Sequence, residues 1–201
     1  MIDYDPDLEE AGEIAIAALL GRFSVWPLVS PAPSAGELAQ AFDLAMRAPD
    51  HGHLQPWRFL TVRDEARADL AGLLVEAARA RGHDDPERYR KKPMAAPLTI
   101  VAAVRLTESP KVPEIEQWLA AGAAVMNLLN GLYLLGYGAI WVTGPNTFDP
   151  AVRDALGFGE DEQLLGFIHV GTPEPGQKRP ERACHSGFVR EWQGRMAHGG
   201  S

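Results

Sequence analysis

From Ser34 to Pro49 the apolar residues Leu38, Ala41, Phe42, Ala45 and Met46 recur at helical spacing, so one face of this segment is predicted to meet a core. Ser34 followed by Glu37 has the form of a capping box opening that helix, and Pro49 closes it. An earlier alanine- and leucine-rich run, Ile14 to Leu20, reads as a helix stopped by Gly21. Between the two, RFSVWPLVSPAP carries three prolines, which exclude a long helix. Further on, WRFLTV (Trp57 to Val62) has the composition of a strand. Asp64 is placed to cap a third helix, running to about Arg81 and ending at Gly82. HDDPERYRKKP is charged and is predicted to be an exposed connection. PLTIVAAV (Pro97 to Val104) is short and rich in β-branched residues, as a buried strand should be.

After the loop TESPKVPE, Glu114 to Leu135 mixes small and large apolar residues around a helix that should be buried on more than one side. Gly138 to Thr143 reads as a strand, Asp149 caps a short helix stopped by Gly157, and Leu164 to Val170 is the last clear strand. Beyond Gly171 the chain is irregular and rich in proline and charge. Helices and strands alternate, which predicts a layered α/β (α+β) domain. The 201 residues suit one domain over 1–201, with about 174–201 as an extended C-terminal tail. A doubly wound nucleotide fold does not fit, because two helices precede the first strand and no Gly-rich turn follows it. Gly136-Tyr137-Gly138 and Gly157-Phe158-Gly159 fall where helices end and read as caps.

Charge narrows the partners. Nineteen basic against 27 acidic residues leave a net charge of −8, which argues against nucleic acid. The single cysteine, Cys184, forms no internal disulfide and suits a reducing, cytoplasmic setting. MIDYDPDLEE is acidic and unlike a signal peptide, and the closing HGGS reads as a flexible tail. The apolar run from Leu119 to Val142 is interrupted by Asn127, Asn130 and glycines, so no membrane span is expected.

The densest chemistry lies in RAPDHGHLQPWRF, Arg47 to Phe59. Asp50, His51 and His53 suggest a metal, and His185 is a distant candidate fourth ligand. Metal sites, however, converge three or four ligands on one point, which alternate loop residues rarely do, so no metal is expected. No G-x-S-x-G elbow occurs, and Cys184 has no helix N-terminus to activate it. Arg22 and Ser24, just past a helix end, can grip an anion through a guanidinium fork and a hydroxyl; a cation at a helix C-terminus is also favourable by itself. Pro49 and Pro56 stiffen the excursion between them. Arg47 and His51, with Arg22 and Ser24 brought alongside, would suit a phosphorylated planar cofactor.

These residues resemble the flavin-dependent nitroreductase family, most closely its small single-domain branch, in which a helix ends Arg-Ala-Pro-Asp-His before Gln-Pro-Trp-Arg-Phe. The resemblance continues through KVPEIEQWLAAGAAVMNLLNGLYLLGYGAIWVTG and LLGFIHVGTP and covers roughly Ile14 to Pro173. It implies a mixed central sheet flanked by helices, in a homodimer whose subunits swap terminal segments around FMN at the interface. The implied FMN contacts are Arg22, Phe23 and Ser24, then Arg47 and His51, often from the other subunit, then Trp141, Val142 and Thr143. Phe23 and Val142 stand where the family pattern has arginines, so two phosphate cations are absent, and Lys178, Arg179 or Arg182 of the tail are candidates to compensate. The implied activity is ping-pong hydride transfer from NADH or NADPH through FMN to a nitroaromatic, quinone or activated alkene, with no dedicated protein acid or base. A non-catalytic flavin carrier or sensor on the same fold is the alternative, and a metal-dependent hydrolase using His51, His53 and His185 is the third.

Overall fold

The computed structural model describes residues 6–194; the acidic start at Met1–Asp5 and the closing HGGS lie outside them. Among the described residues six α-helices form in chain order: α1 (Pro6–Leu20), α2 (Ala35–Ala45), α3 (Ala66–Ala80), α4 (Lys91–Ala95), α5 (Glu114–Leu134) and α6 (Pro150–Ala155). Five strands accompany them: β1 (Leu28–Val29), β2 (Trp57–Arg63), β3 (Leu98–Arg105), β4 (Gly138–Val142) and β5 (Glu162–Pro173). The capping box opening α2 is present in full. Ser34 Oγ accepts from the Glu37 amide at 3.3 Å, and the Ser34 amide donates to Glu37 Oε2 at 2.8 Å. Asp149 caps α6 by accepting from the Ala151 amide at 3.0 Å. Among the described residues no helix is long and apolar enough to cross a membrane.

The strands run in the order β1-β5-β3-β2, and β4 also pairs with β5. Alternation along each strand sorts the side chains to two faces. Leu98, Ile100, Ala102 and Val104 of β3 and Ile168 and Val170 of β5 face one core with α2 and α5. Val101, Ala103 and Phe167 face the other, with Leu70 and Leu74 of α3 and Val152 of α6. The result is a helix–sheet–helix sandwich built on the long amphipathic segments the sequence predicts.

Three expectations change. The sheet expected to be mixed is antiparallel in every ladder of the described residues. The reason is the 34 residues between Arg63 and its ladder partner Leu98. One helix, α3, returns the chain along the sheet, and the Pro86–Arg90 turn with α4 carries it back again. β3 therefore starts where β2 ends. The charged segment around Arg88 to Lys92 accordingly forms short helical turns instead of a plain loop. Finally, Asp64 is not the cap of α3. It takes a left-handed φ of 50° and its carbonyl accepts from Arg67 Nε at 3.2 Å.

Candidate functional site

At the end of β4, on the α3 side of the sheet, a cavity of about 390 Å³ is lined by Trp26, Lys92, Val142, Thr143, Thr147 and His169 among others. Register explains the grouping. Val142 pairs with Phe167 and Ile140 with His169, so alternate residues of β4 and β5 point to this face. Trp141 points the other way: it packs against the α2–α5 core, and its Nε1 donates to the Leu165 carbonyl at 3.0 Å. Of the three predicted residues here, Val142 and Thr143 line the cavity and Trp141 supports it from behind. Their position depends on Gly166 (φ 135°), where an added Cβ would lie 2.6 Å from the Val142 carbonyl oxygen.

The cavity's polar groups are few and fixed. His169 is 2% exposed, and its Nδ1 lies 3.0 Å from Thr99 Oγ1 on the neighbouring strand. Burial, and then the charge of Lys92, push the imidazole down to about 3, so it is neutral across the physiological range. Trp26 meets His169 edge-on at 6.1 Å, and Lys92 Nζ lies 5.6 Å from the centroid of the Trp26 ring. Burial lowers the Lys92 ammonium below its ordinary value. Thr147 is 5% exposed, and its hydroxyl has no hydrogen-bond partner. Its turn is held by the Thr147 amide donating to the Gly144 carbonyl at 2.9 Å and by Asn146 Nδ2 donating to the Leu74 carbonyl at 3.2 Å. Arg81 braces the same turn through Asn146 and Asp149.

The Arg22–Ser24 segment lies beyond Trp26, and its residues divide by parity. Phe23 and Val25 line a second, mainly apolar cavity of about 350 Å³ with Tyr133, Tyr137 and Pro173, and both belong to the small core of Leu28 and Ala96. Phe23 is therefore a packing residue here. Beside it, Gly21 is pressed by the Tyr133 hydroxyl and by Arg179 Nη2, which would lie 2.7 and 2.8 Å from an added Cβ. Burial first, and then Arg182, hold Arg22 below its ordinary pKa. Arg22, Arg179 and Arg182 thus form a cation cluster, and among the described residues none of them has a carboxylate within ion-pair distance.

Arg47 and His51 sit elsewhere. The α2 helix ends just before Arg47, which is exposed. Asp50 shapes the following turn by accepting from the amides of Leu54 at 3.2 Å and Gln55 at 2.8 Å. His51 Nδ1 lies 2.6 Å from Glu116 Oε2, in the first turn of α5. Arg22 lies at the opposite end of α5, by Tyr133. Glu116 and Tyr133 are 17 residues apart, about 26 Å along the axis at ~1.5 Å per residue. Within one chain His51 is not brought to Arg22. Along its length α5 exposes Ile115, Leu119 (66%), Met126 and Leu134, flanked by Leu44 of α2 and Met46 just past its end. In the tail Phe188, Val189 and Trp192 (80%) are exposed as well.

The hydropathy pattern pointed to none of Lys92, Thr147 and His169. Lys92 is in a run that reads as solvated, and Thr147 lies two residues past Pro145 in a short connection. The one available signal was a histidine inside an otherwise apolar strand, FIHV, since a buried polar group needs a partner or a purpose.

Comparison with known proteins gives the same picture throughout. The profile of the nitroreductase family matches residues 19–172. An Escherichia coli protein named "Putative NAD(P)H nitroreductase YdjA" is 38% identical over 162 residues, covering 80% of this chain and 88% of its own. A Haemophilus influenzae protein named "Putative NAD(P)H nitroreductase" is 32% identical over 173 residues, covering 85% and 92%. Among solved structures, a nitroreductase-like family protein from Bacillus cereus superposes with a TM-score of 0.75 at 20% identity, covering 96% of this chain and 100% of its own. The FMN- and NADPH-dependent nitroreductase NfnB, from a Sphingopyxis strain, superposes with a TM-score of 0.71 at 21% identity, covering 90% and 99%.

Proposed function

The chain belongs to the nitroreductase family of oxidoreductases, and from that premise we propose that it is a cytoplasmic, FMN-dependent NAD(P)H oxidoreductase working as a homodimer. Its acceptors are nitroaromatics, quinones or activated alkenes. The observation that carries the cofactor assignment is the cavity at the end of β4. Its apolar walls are supplied by Trp26, Val142 and Phe167, and Lys92, Thr143 and His169 bring polar groups to its lining. That donor set fits a planar ring with a polar edge. A flavin ring against Val142 and Thr143 also agrees with what the sequence resemblance implies for those positions.

When bound, FMN supplies the redox chemistry, accepting a hydride from NADH or NADPH and passing it to the acceptor in a ping-pong cycle. The chain's own residues bind, orient and tune. Lys92 places a positive charge where negative charge develops on the cavity's ligand. Trp26 and Phe167 exclude water, which strengthens that interaction. Arg22, Arg179 and Arg182 offer charge-assisted donors to a phosphate, in place of the two cations absent at Phe23 and Val142. Ser24 adds a hydroxyl. No protein acid or base is required.

Arg47 and His51 complete the site from the second subunit. Two copies packed through the exposed α5 face with antiparallel axes would bring the Arg47–His51 end of one beside the Arg22 end of the other. The exposed apolar side chains of α5 and of the tail support that packing, because soluble monomers seldom leave such continuous apolar surface uncovered. The test is an absorption spectrum of the purified protein before and after NADPH. Blue and near-ultraviolet flavin bands that bleach with NADPH are expected; a colourless protein that ignores added FMN would refute the assignment.

A further inference from the structure

We propose that the cavity at the end of β4 selects flat aromatic acceptors that carry a negative group, with Lys92 as its specificity-determining residue. The inference rests on the reading of this cavity as the redox site and deepens it, by fixing the charge of the acceptor.

The charge of the lining carries it. Arg88, Lys91 and Lys92 line the cavity, and among the described residues no aspartate or glutamate does. In a chain with 27 acidic against 19 basic residues, three cations without a carboxylate are a placement and not a by-product of composition. His169 adds no charge, its imidazole pushed down to about 3 by burial and then by Lys92. Two observations hold the Lys92 ammonium at the cavity. Its Nζ lies 5.6 Å from the centroid of Trp26, and its charge acts on His169; both rings belong to the lining. Among the described residues none of the three cations has a carboxylate within ion-pair distance. Glu87 is near in sequence but taken: it accepts from Arg90 Nε at 2.9 Å and from Arg79 Nη2 at 3.4 Å. Burial lowers the Lys92 ammonium, so its charge is partly desolvated and has no counter-ion, a cost that a negative group on a ligand relieves. Arg88 lies over the Tyr89 ring at 5.5 Å. Arg88 and Lys91 are exposed and add a weaker, screened attraction. Trp26, Tyr89 and Phe167 supply aromatic surface for the ring that carries the charge.

The test compares p-nitrobenzoate with p-nitrobenzamide, two flat nitroaromatics of nearly the same shape that differ in charge. Both are titrated by calorimetry into the oxidised, FMN-loaded full-length protein without NADPH, so that binding is read apart from turnover. Wild type should bind the carboxylate about 10-fold more tightly than the amide, the low end for a charge-assisted contact, and high salt should shrink that ratio. Lys92→Met should lose most of the preference by weakening the carboxylate and not the amide, and Lys92→Arg should keep it. Arg88→Gln and Lys91→Gln remove exposed charges and should each lower the ratio by less than about 5-fold. Without ligand, Lys92→Met should melt no lower than wild type, because it removes a desolvated charge that has no counter-ion; a merely structural role would lower the melting point and leave the preference intact. If wild type holds FMN yet binds both compounds equally, or Lys92→Met keeps the full preference, the anion assignment is wrong and the flavin reading stands. If Lys92→Met loses FMN but holds riboflavin as wild type does, the ammonium serves the cofactor's phosphate and the assignment is again wrong. If the protein takes up no FMN but the flavin-free chain shows the preference, the flavin reading fails and the anion site stands.

Discussion

A pair of variants tests whether the site is shared between subunits. His51→Ala and Arg22→Ala each remove one side chain, at opposite ends of α5. The separation of about 26 Å follows from 17 residues at ~1.5 Å each, whereas an extended FMN spans roughly 15 Å, counted from bonds of about 1.5 Å. One flavin cannot touch both ends of the same chain. Each lost contact should cost about 1.5–3 kcal/mol if it is a charge-assisted bond to the cofactor, so either homodimer should hold FMN roughly 10- to 150-fold more weakly. Co-expressing the two variants with different affinity tags isolates the heterodimer. One of its sites lacks both side chains and the other keeps both, so it should retain one FMN per dimer, read from the flavin-to-protein absorbance ratio. If both side chains served one chain's own site, the heterodimer would contain two damaged sites and recover nothing. A heterodimer as empty as its parents, or a chain that sediments as a monomer, would refute the shared site.

Other expectations follow from particular contacts. His169 has a folded pKa near 3 against an ordinary 6.5, so below about pH 6.5 the unfolded chain binds a proton that the folded chain refuses. Stability should therefore fall between pH 6.5 and 3 by up to a few kcal/mol, and urea midpoints of His169→Gln should show a flatter decline. Gly166→Ala should destabilise by about 1–3 kcal/mol and also loosen FMN, because its Cβ would displace the end of β4; thermal melts and flavin retention check the two effects. Phe23→Arg should lower the melting temperature without tightening FMN, since Phe23 packs with Val25, Leu28 and Ala96 and a cation there is buried in apolar surroundings. Leu128→Ala, in the core between α5 and the sheet, should cost about 2–5 kcal/mol by chemical denaturation.

Much of this architecture is legible in local pattern. Ser34 and Glu37 announce α2, and Asp149 announces α6, because capping is a contact between residues three or fewer apart. The long strands are legible for the same reason, since burial on both faces leaves few options but β-branched residues. Two of the misreadings share one cause. Strand direction between β2 and β3 depends on how many times the intervening segment crosses the sheet, and its charged surface conceals two short helical turns. The residues of the candidate site divide similarly. Arg22, Arg47, His51, Val142 and Thr143 were picked out by motif, whereas Lys92, Thr147 and His169 become a group only through the register of β4 with β5 and the return of residues 82–97. Nothing local distinguishes Thr147 from any loop threonine; its hydroxyl is notable only because the fold buries it.

The wide excursion between β2 and β3 has a consequence for engineering. Its two ends are clamped by the Arg63–Leu98 ladder pair, while its far portion supplies Arg88, Tyr89 and Lys92 to one wall of the cavity. A segment anchored at both ends behaves as an interchangeable cassette, because closing a longer or shorter loop across a fixed gap changes the chain entropy only slowly with length. Residues 82–95 can therefore be grafted or randomised as a unit, reshaping that wall while the sheet, the β4–β5 register and the arginine cluster around Arg22 stay in place. Acceptor range would then be selectable from a library confined to fourteen consecutive positions.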